Sequence, residues 1–170
     1  MPPAVRLPAR GGLWYPAAMI ERIAGLLRRL EAGPQVPHSA ADMELAACAL
    51  LVEAACMDGT FAPEERATIE RLIGARFGLD AGAAAGLVGE AEGVVADAPD
   101  LFRFTNAIKS SFSEAERIEL IEMLWEVAYA DGTVHAYEDN LLRRIAGLIY
   151  VTDRDRGLAR ARVLERLGRS

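Results

Sequence analysis

Six carboxylates in this 170-residue chain recur at a spacing that could do chemistry. Glu53, Asp58 and Glu65 stand in the stretch Glu53-Ala-Ala-Cys-Met-Asp58-Gly59-Thr60-Phe61-Ala-Pro-Glu-Glu65. Glu126, Asp131 and Glu138 stand in Glu126-Val-Ala-Tyr-Ala-Asp131-Gly132-Thr133-Val134-His-Ala-Tyr-Glu138, 73 residues further on and without a gap. The hydrophobic phase continues beyond the acids, with Ile69 matching Leu142 and Leu72 matching Ile145. An internal duplication accounts for an Asp-Gly-Thr with two flanking glutamates in the same register twice.

The turn residues have local roles. Glycine reaches the left-handed backbone that ends a helix. The aspartate can accept backbone N–H bonds within the turn, and the second glutamate falls in the first turn of the next helix, where the dipole favours it. The first glutamate and the aspartate lie instead at a helix C-terminus, against the dipole, so each repeat calls for a compensating cation. Arginines can serve, and Arg66, Arg143 and Arg144 are near in sequence. A divalent ion (Ca²⁺, Mg²⁺, Mn²⁺ or Zn²⁺) can serve too, because hard cations take carboxylate oxygens. Both readings stay open here. The spacing is not that of an EF-hand, whose glycine stands sixth and last acid twelfth; here glycine follows Asp directly and the acid stands eighth.

Apolar residues make up 52% of the chain and aromatics 6%. That mixture, rich in alanine and leucine, favours helix–helix contact over β structure, and no run alternates long enough to read as a strand. The fold class is all-α: a compact bundle of seven to eight short helices, with a helix–turn–helix unit duplicated. Residues 1–18 read as an irregular arm and residues 19–170 as a single domain. An amphipathic helix is expected over Ala17–Glu31. Ser39 opens a second, to about Met57, and Pro63 a third, ending near Gly78. Asp80 caps a fourth, towards Ala98. Pro99 starts a fifth, to about Ser110. Ser113 and Glu116 form a capping box for a sixth, to about Ala130; a seventh covers about His135 to Tyr150, and Thr152 with Asp155 caps an arginine-rich eighth. Gly82, Gly86, Gly89 and Gly93 suggest close helix packing.

The net charge of −6 is segregated. Residues 1–38 hold five arginines against two acids, 39–142 six basic residues against twenty acids, and 143–170 eight arginines against three acids. The acidic centre argues against nucleic acid, while the basic ends suit either an acidic partner, an anionic membrane face, or the acidic middle of the chain itself. No stretch approaches the roughly 18 apolar residues of a membrane span, and the N-terminus has no apolar signal region. Cys48 and Cys56, eight residues apart in one helix, would lie about 12 Å apart, beyond disulfide reach. A reduced, cytoplasmic protein is expected.

Leu50-Leu-Val-Glu-Ala-Ala-Cys-Met-Asp-Gly-Thr-Phe-Ala-Pro-Glu-Glu-Arg66, Leu124-Trp-Glu-Val-Ala-Tyr-Ala-Asp-Gly-Thr-Val-His-Ala-Tyr-Glu138 and Leu141-Leu-Arg-Arg-Ile-Ala-Gly-Leu-Ile-Tyr150 resemble the TerB-like family linked to tellurite resistance. A similar domain occurs in membrane-anchored J-domain co-chaperones. The resemblance covers about residues 40 to 165. It implies an all-helical bundle, a cytoplasmic stress-related role and a metal-binding surface made by Glu53, Asp58, Glu65, Glu126, Asp131 and Glu138. Cys56-Met57 before Asp58 departs from the small residue usual there, which makes the first half-site less regular.

No enzyme is expected. His38 and His135 have no partner at ligand or triad spacing, the cysteines have no activating neighbour in sequence, and no nucleophile, base and oxyanion donors assemble. The leading expectation is a binding module that takes a divalent metal and works with a protein partner, one that is membrane-associated or stress-related. The alternative is a metal-free adaptor using its acidic face and basic ends, and a metal-assisted hydrolase stands last.

Overall fold

The computed structural model describes residues 40–169 except Asp58, 98–100, Asp131, Thr133 and His135, and of Ala40, Asp42 and Met43 the backbone alone. The expected arm and the amphipathic segment Ala17–Glu31 lie outside these residues. Seven helices, with no strand among the described residues, follow in order: α1 (Ala40–Cys56), α2 (Pro63–Phe77), α3 (Ala81–Asp97), α4 (Leu101–Ser111), α5 (Glu114–Ala128), α6 (Ala136–Leu148) and α7 (Asp153–Arg166).

Their starts are written in local chemistry. Pro63 opens α2, where its missing N–H costs nothing. Asp80 Oδ1 accepts the Ala83 N–H at 2.7 Å at the head of α3. At α5 the capping box is complete: Ser113 Oγ accepts from the Glu116 N–H at 3.3 Å, and the Glu116 carboxylate accepts from the Ser113 N–H at 2.8 Å. That backbone bond, with Arg76 nearby, holds the Glu116 pKa below its usual value. The pair therefore adds stability above the ordinary glutamate range and loses it as the pH falls through the lowered value. Thr152 Oγ1 accepts from the Asp155 N–H at 3.1 Å to start α7.

The duplication is larger than the turn that betrays it. α1, α2 and α3 pack on one another, and so do α5, α6 and α7. The units are three helices each, joined by α4, which lies against α1 and α6. α5 also contacts α1 and α2, so α1 and α5, the first helices of the two units, are the inner pair. Every residue from Leu45 to Val52 is buried, as a helix covered on all sides requires. Its counterpart in α5 buries Leu120, Ile121, Leu124 and Trp125.

The second helix of each unit ends in the same way. Leu79 N–H donates to Gly74 O at 3.0 Å and Val151 N–H to Ala146 O at 2.8 Å, the long bond of a Schellman motif. The residue in left-handed backbone is Gly78 (φ 66) in the first unit and Tyr150 (φ 59) in the second. Such a backbone costs a non-glycine residue about 1–2 kcal/mol. Lys109 Nζ lies 5.0 Å from the Tyr150 ring centre, and an exposed cation–π contact returns only about 0.5–1 kcal/mol. The strain wins, so Tyr150→Gly is expected to raise stability by about 0.5–1 kcal/mol in chemical denaturation. A loss of stability would show that the ring packs usefully.

Close packing is not borne out at three of the four α3 glycines. A Cβ at Gly86 or Gly89 would meet nothing within 4 Å, and at Gly82 only Asp80 Oδ1 at 3.4 Å. These three glycines lie on the outer side of α3, whereas Gly93 is buried. The close approach is at Gly74 instead, where a Cβ would stand 3.2 Å from Leu79 O. Gly86→Ala with Gly89→Ala should stabilise by about 0.5–1 kcal/mol per site through helix propensity, read from the urea midpoint; no gain would mean a neighbour fills that space.

Both cysteines are free. Burial, and secondarily the nearby Glu92 charge, push the Cys48 thiol far above its ordinary value. Among the described residues no single helix is long and apolar enough to cross a membrane.

Candidate functional site

Both Asp-Gly turns sit at the same end of the bundle, where α1 and α5 finish. Gly59 (φ 92) donates its N–H to Cys56 O at 3.0 Å, and Gly132 (φ 105) donates to Tyr129 O at 3.0 Å. The two turns thus share a backbone conformation that needs glycine. A long hydrogen bond, 3.4 Å, runs from the Tyr137 hydroxyl to the Met57 carbonyl and ties the head of α6 to the first turn.

Beside this contact, between the units, lies a small cavity of about 20 Å³. Glu65 and Glu138, the second glutamates of the two motifs, both line it, with Ala54, Leu124, Val127 and Tyr137. The repeat therefore brings one carboxylate from each copy to a shared, otherwise largely apolar space. That volume holds about one water-sized occupant, too little for an organic ligand. Glu65 also closes half of a capping box, its Oε2 accepting the Ala62 N–H at 2.9 Å.

The remaining motif acids are placed differently. Glu53 is buried on α1, 8% exposed. Asp58 and Asp131 lie outside the described residues. Glu126 turns to arginine: Arg71 Nη2 lies 2.9 Å from Oε2 and Arg166 Nη2 2.7 Å from Oε1. Arg166 also reaches Glu122 at 2.7 Å, and Arg162 meets the same carboxylate at 2.6 Å. The hydrogen bond to Glu122, followed by that to Glu126, raises the Arg166 pKa further.

The cations compensating the second helix end come chiefly from α7 and the residues after it. Arg169 Nη1 donates to the Gly132 carbonyl at 2.8 Å, which places a cation on the Asp-Gly turn that follows α5. Arg160 Nε donates to the Tyr129 hydroxyl at 2.9 Å, with its guanidinium 5.1 Å over the Trp125 ring. The arginines near the motifs in sequence do other work. Arg66 pairs with Glu70 and Glu92, and Arg143 with Asp153. Sequence proximity misleads because neighbouring helix positions point to different faces. The strong basic charge of residues 143–170 was the available signal, and the acidic middle of the chain, one of its three expected targets, is where Arg162 and Arg166 pair.

The two units differ here. Aligned on their caps, Asp80 and Thr152, α3 carries Glu90, Val94 and Asp97 where the second unit carries Arg162, Arg166 and Arg169. Compensation by the third helix belongs to the second unit alone.

Among the described residues, which leave out Asp58 and Asp131, no three His, Cys, Asp or Glu side chains are grouped closely enough to hold a metal ion. The described set offers two hard-oxygen donors on one cavity, Glu65 and Glu138, which fits part of a divalent-ion shell. A family model described as "Tellurite resistance protein TerB" matches residues 44–161. Comparisons with curated proteins and with solved structures find no match.

Proposed function

The chain belongs to the TerB family, and from that membership we propose that it is a non-enzymatic, cytoplasmic binding module of the tellurite-resistance and stress-response type, holding a divalent cation between its two units. The observation that carries this reading is the shared cavity lined by Glu65 and Glu138. Asp58 and Asp131 are proposed to complete the donor set from the turns beside it. Glu126 is left out, because both its oxygens are engaged by Arg71 and Arg166. A divalent cation takes carboxylate oxygens, and the cavity brings one carboxylate from each unit to the same small space. The bound ion would supply charge neutralisation and a clasp between the units, with no step of catalysis. Free Cys48 and Cys56 agree with a reducing compartment.

A second reading, a metal-free adaptor for a protein partner, is favoured by the arginines that already neutralise Glu122, Glu126 and the Gly132 carbonyl. Thermal melts separate the two. On the cation reading, a free ion a hundredfold above its dissociation constant adds about 2.7 kcal/mol of stability. Glu138→Gln and Asp131→Asn should each remove most of that response while leaving the chelated protein near wild type. Wild-type melts identical in chelator and in millimolar Ca²⁺, Mg²⁺, Mn²⁺ or Zn²⁺ would leave the adaptor reading standing alone.

A further inference from the structure

At the end of the bundle away from the Asp-Gly turns, α4 and α6 finish and α5 and α7 begin. Tyr150 stands at this corner, 67% exposed, in the left-handed backbone that its sister turn gives to Gly78. The fold does not need a tyrosine there, since the first unit makes the same turn with glycine. A non-glycine residue held in left-handed backbone where glycine would do points to use rather than packing. Lys109 Nζ lies over that ring, and Arg117 Nη1 donates to the adjacent Ile149 carbonyl at 3.0 Å.

Most of the acids nearby are engaged; Glu114, in the first turn of α5, has no ion pair among the described residues. Asp153 lies 4.0 Å from Arg143 and 3.3 Å from Arg156. Asp155 accepts from the Thr152 hydroxyl at 2.6 Å, and Arg76 holds Glu116 and Glu119. Among the described residues, Lys109, Arg117 in the first turn of α5, Arg144 in the second half of α6, and exposed Arg154 at the start of α7 have no ion-pair partner. Positive charge without an ion pair therefore exceeds the negative charge of Glu114 and Asp155 on the helices that meet at this corner, on a chain whose net charge is −6.

The geometry points to this corner as a docking surface for a carboxylate-rich segment of a partner protein, with Tyr150 giving the apolar contact and Lys109, Arg144 and Arg154 the charge. A membrane surface is disfavoured. The four such cations here stand at the lower limit of the roughly four to eight basic residues that hold an anionic bilayer, and a bilayer also repels the acidic remainder of the molecule. A short acidic segment meets only the local charge, because screening limits its reach to about 8 Å at physiological salt. The inference does not depend on cation binding in the other half of the molecule, and it is tested in chelator.

The probe is a fluorescein-labelled peptide of repeating Glu-Asp-Phe, titrated with the full chain and followed by fluorescence anisotropy. A Gln-Asn-Phe peptide and phosphatidylglycerol vesicles run in parallel. The Glu-Asp-Phe peptide should bind, and more weakly as salt is added. Lys109→Gln combined with Arg154→Gln should weaken it about tenfold. Tyr150→Gly should weaken it about fivefold while melting at or above the wild-type temperature, an outcome that loss of folding cannot produce. Absence of peptide binding, equal binding by all variants, equal binding of the uncharged peptide, or binding to vesicles alone would each overturn the proposal.

Discussion

Truncation after Val151 is expected to leave a chain with no cooperative thermal transition at neutral pH. The cut removes α7, whose Ala159 and Val163 are fully buried and whose Arg160 covers Trp125. Full burial of one aliphatic side chain is worth about 1.5–3 kcal/mol, and the truncation also uncovers the apolar faces of α5 and α6 against which α7 packs. Electrostatics adds to this. Glu122 loses both its arginines, Glu126 keeps only Arg71, and the Gly132 carbonyl loses Arg169. Together these approach the whole stability of a domain of this size, about 5–15 kcal/mol. Near-ultraviolet circular dichroism of Trp125 and a melting curve read the result. A truncated protein that retains the wild-type near-ultraviolet signal and a sharp melt would show that α7 is peripheral to the core.

Leu124→Ala is expected to cost about 3–5 kcal/mol in urea denaturation, the range of buried leucine deletions. Leu124 is 1% exposed on α5, one of the inner helices, and borders the cavity shared by Glu65 and Glu138. Both features argue for the upper part of that range. An inner helix held by neighbours on several sides cannot collapse inward, and the new void would join an existing one. Since about 2–4 °C are lost per kcal/mol at this chain size, the melting temperature should fall by roughly 10 °C. Leu124→Met, which nearly conserves volume, should cost less than about 1.5 kcal/mol. If alanine costs no more than methionine, the region is not packed as described. The same pair of variants bears on the cation proposal: the methionine variant should keep any metal response of the wild type, since it leaves both carboxylates in place.

Cys48 offers a check on the inner helix itself. A thiol raised by burial is neither ionised nor reachable at pH 8. Its reaction with Ellman's reagent should wait for global opening and accelerate in urea with the unfolding transition. Rapid labelling of Cys48 in the native protein would contradict the placement of α1 between its neighbours.

Much of the fold was legible because helix ends are local events. Ser113 with Glu116, Thr152 with Asp155, Asp80, Pro63 and Gly78 act through bonds spanning a few residues, and all five mark helix ends where expected. The duplicated turns were legible for the same reason, since Gly59 and Gly132 are required by backbone angle alone. The glycines of α3 misled: a Gly-rich helix signals close packing only if a neighbour approaches that face, and none approaches Gly86 or Gly89. The true size of the repeat was hidden in its third helices. α3 is rich in alanine and glycine and α7 in arginine, so only their shared position after equivalent Schellman turns reveals the correspondence.

The sequence by itself determined the helices, their caps, the paired Asp-Gly turns and the sharp segregation of charge, since each follows from neighbours within a turn or two. Only the tertiary structure decided what the charges meet. It brought Glu65 and Glu138 from separate copies to one cavity, gave Glu126 to Arg71 and Arg166, and set Arg169 on the turn after α5. The physical reason is distance along the chain. Arg166 lies 40 residues from Glu126 and Tyr137 80 from Met57. Such pairs are chosen by how seven helices share a core, not by any pattern within one of them.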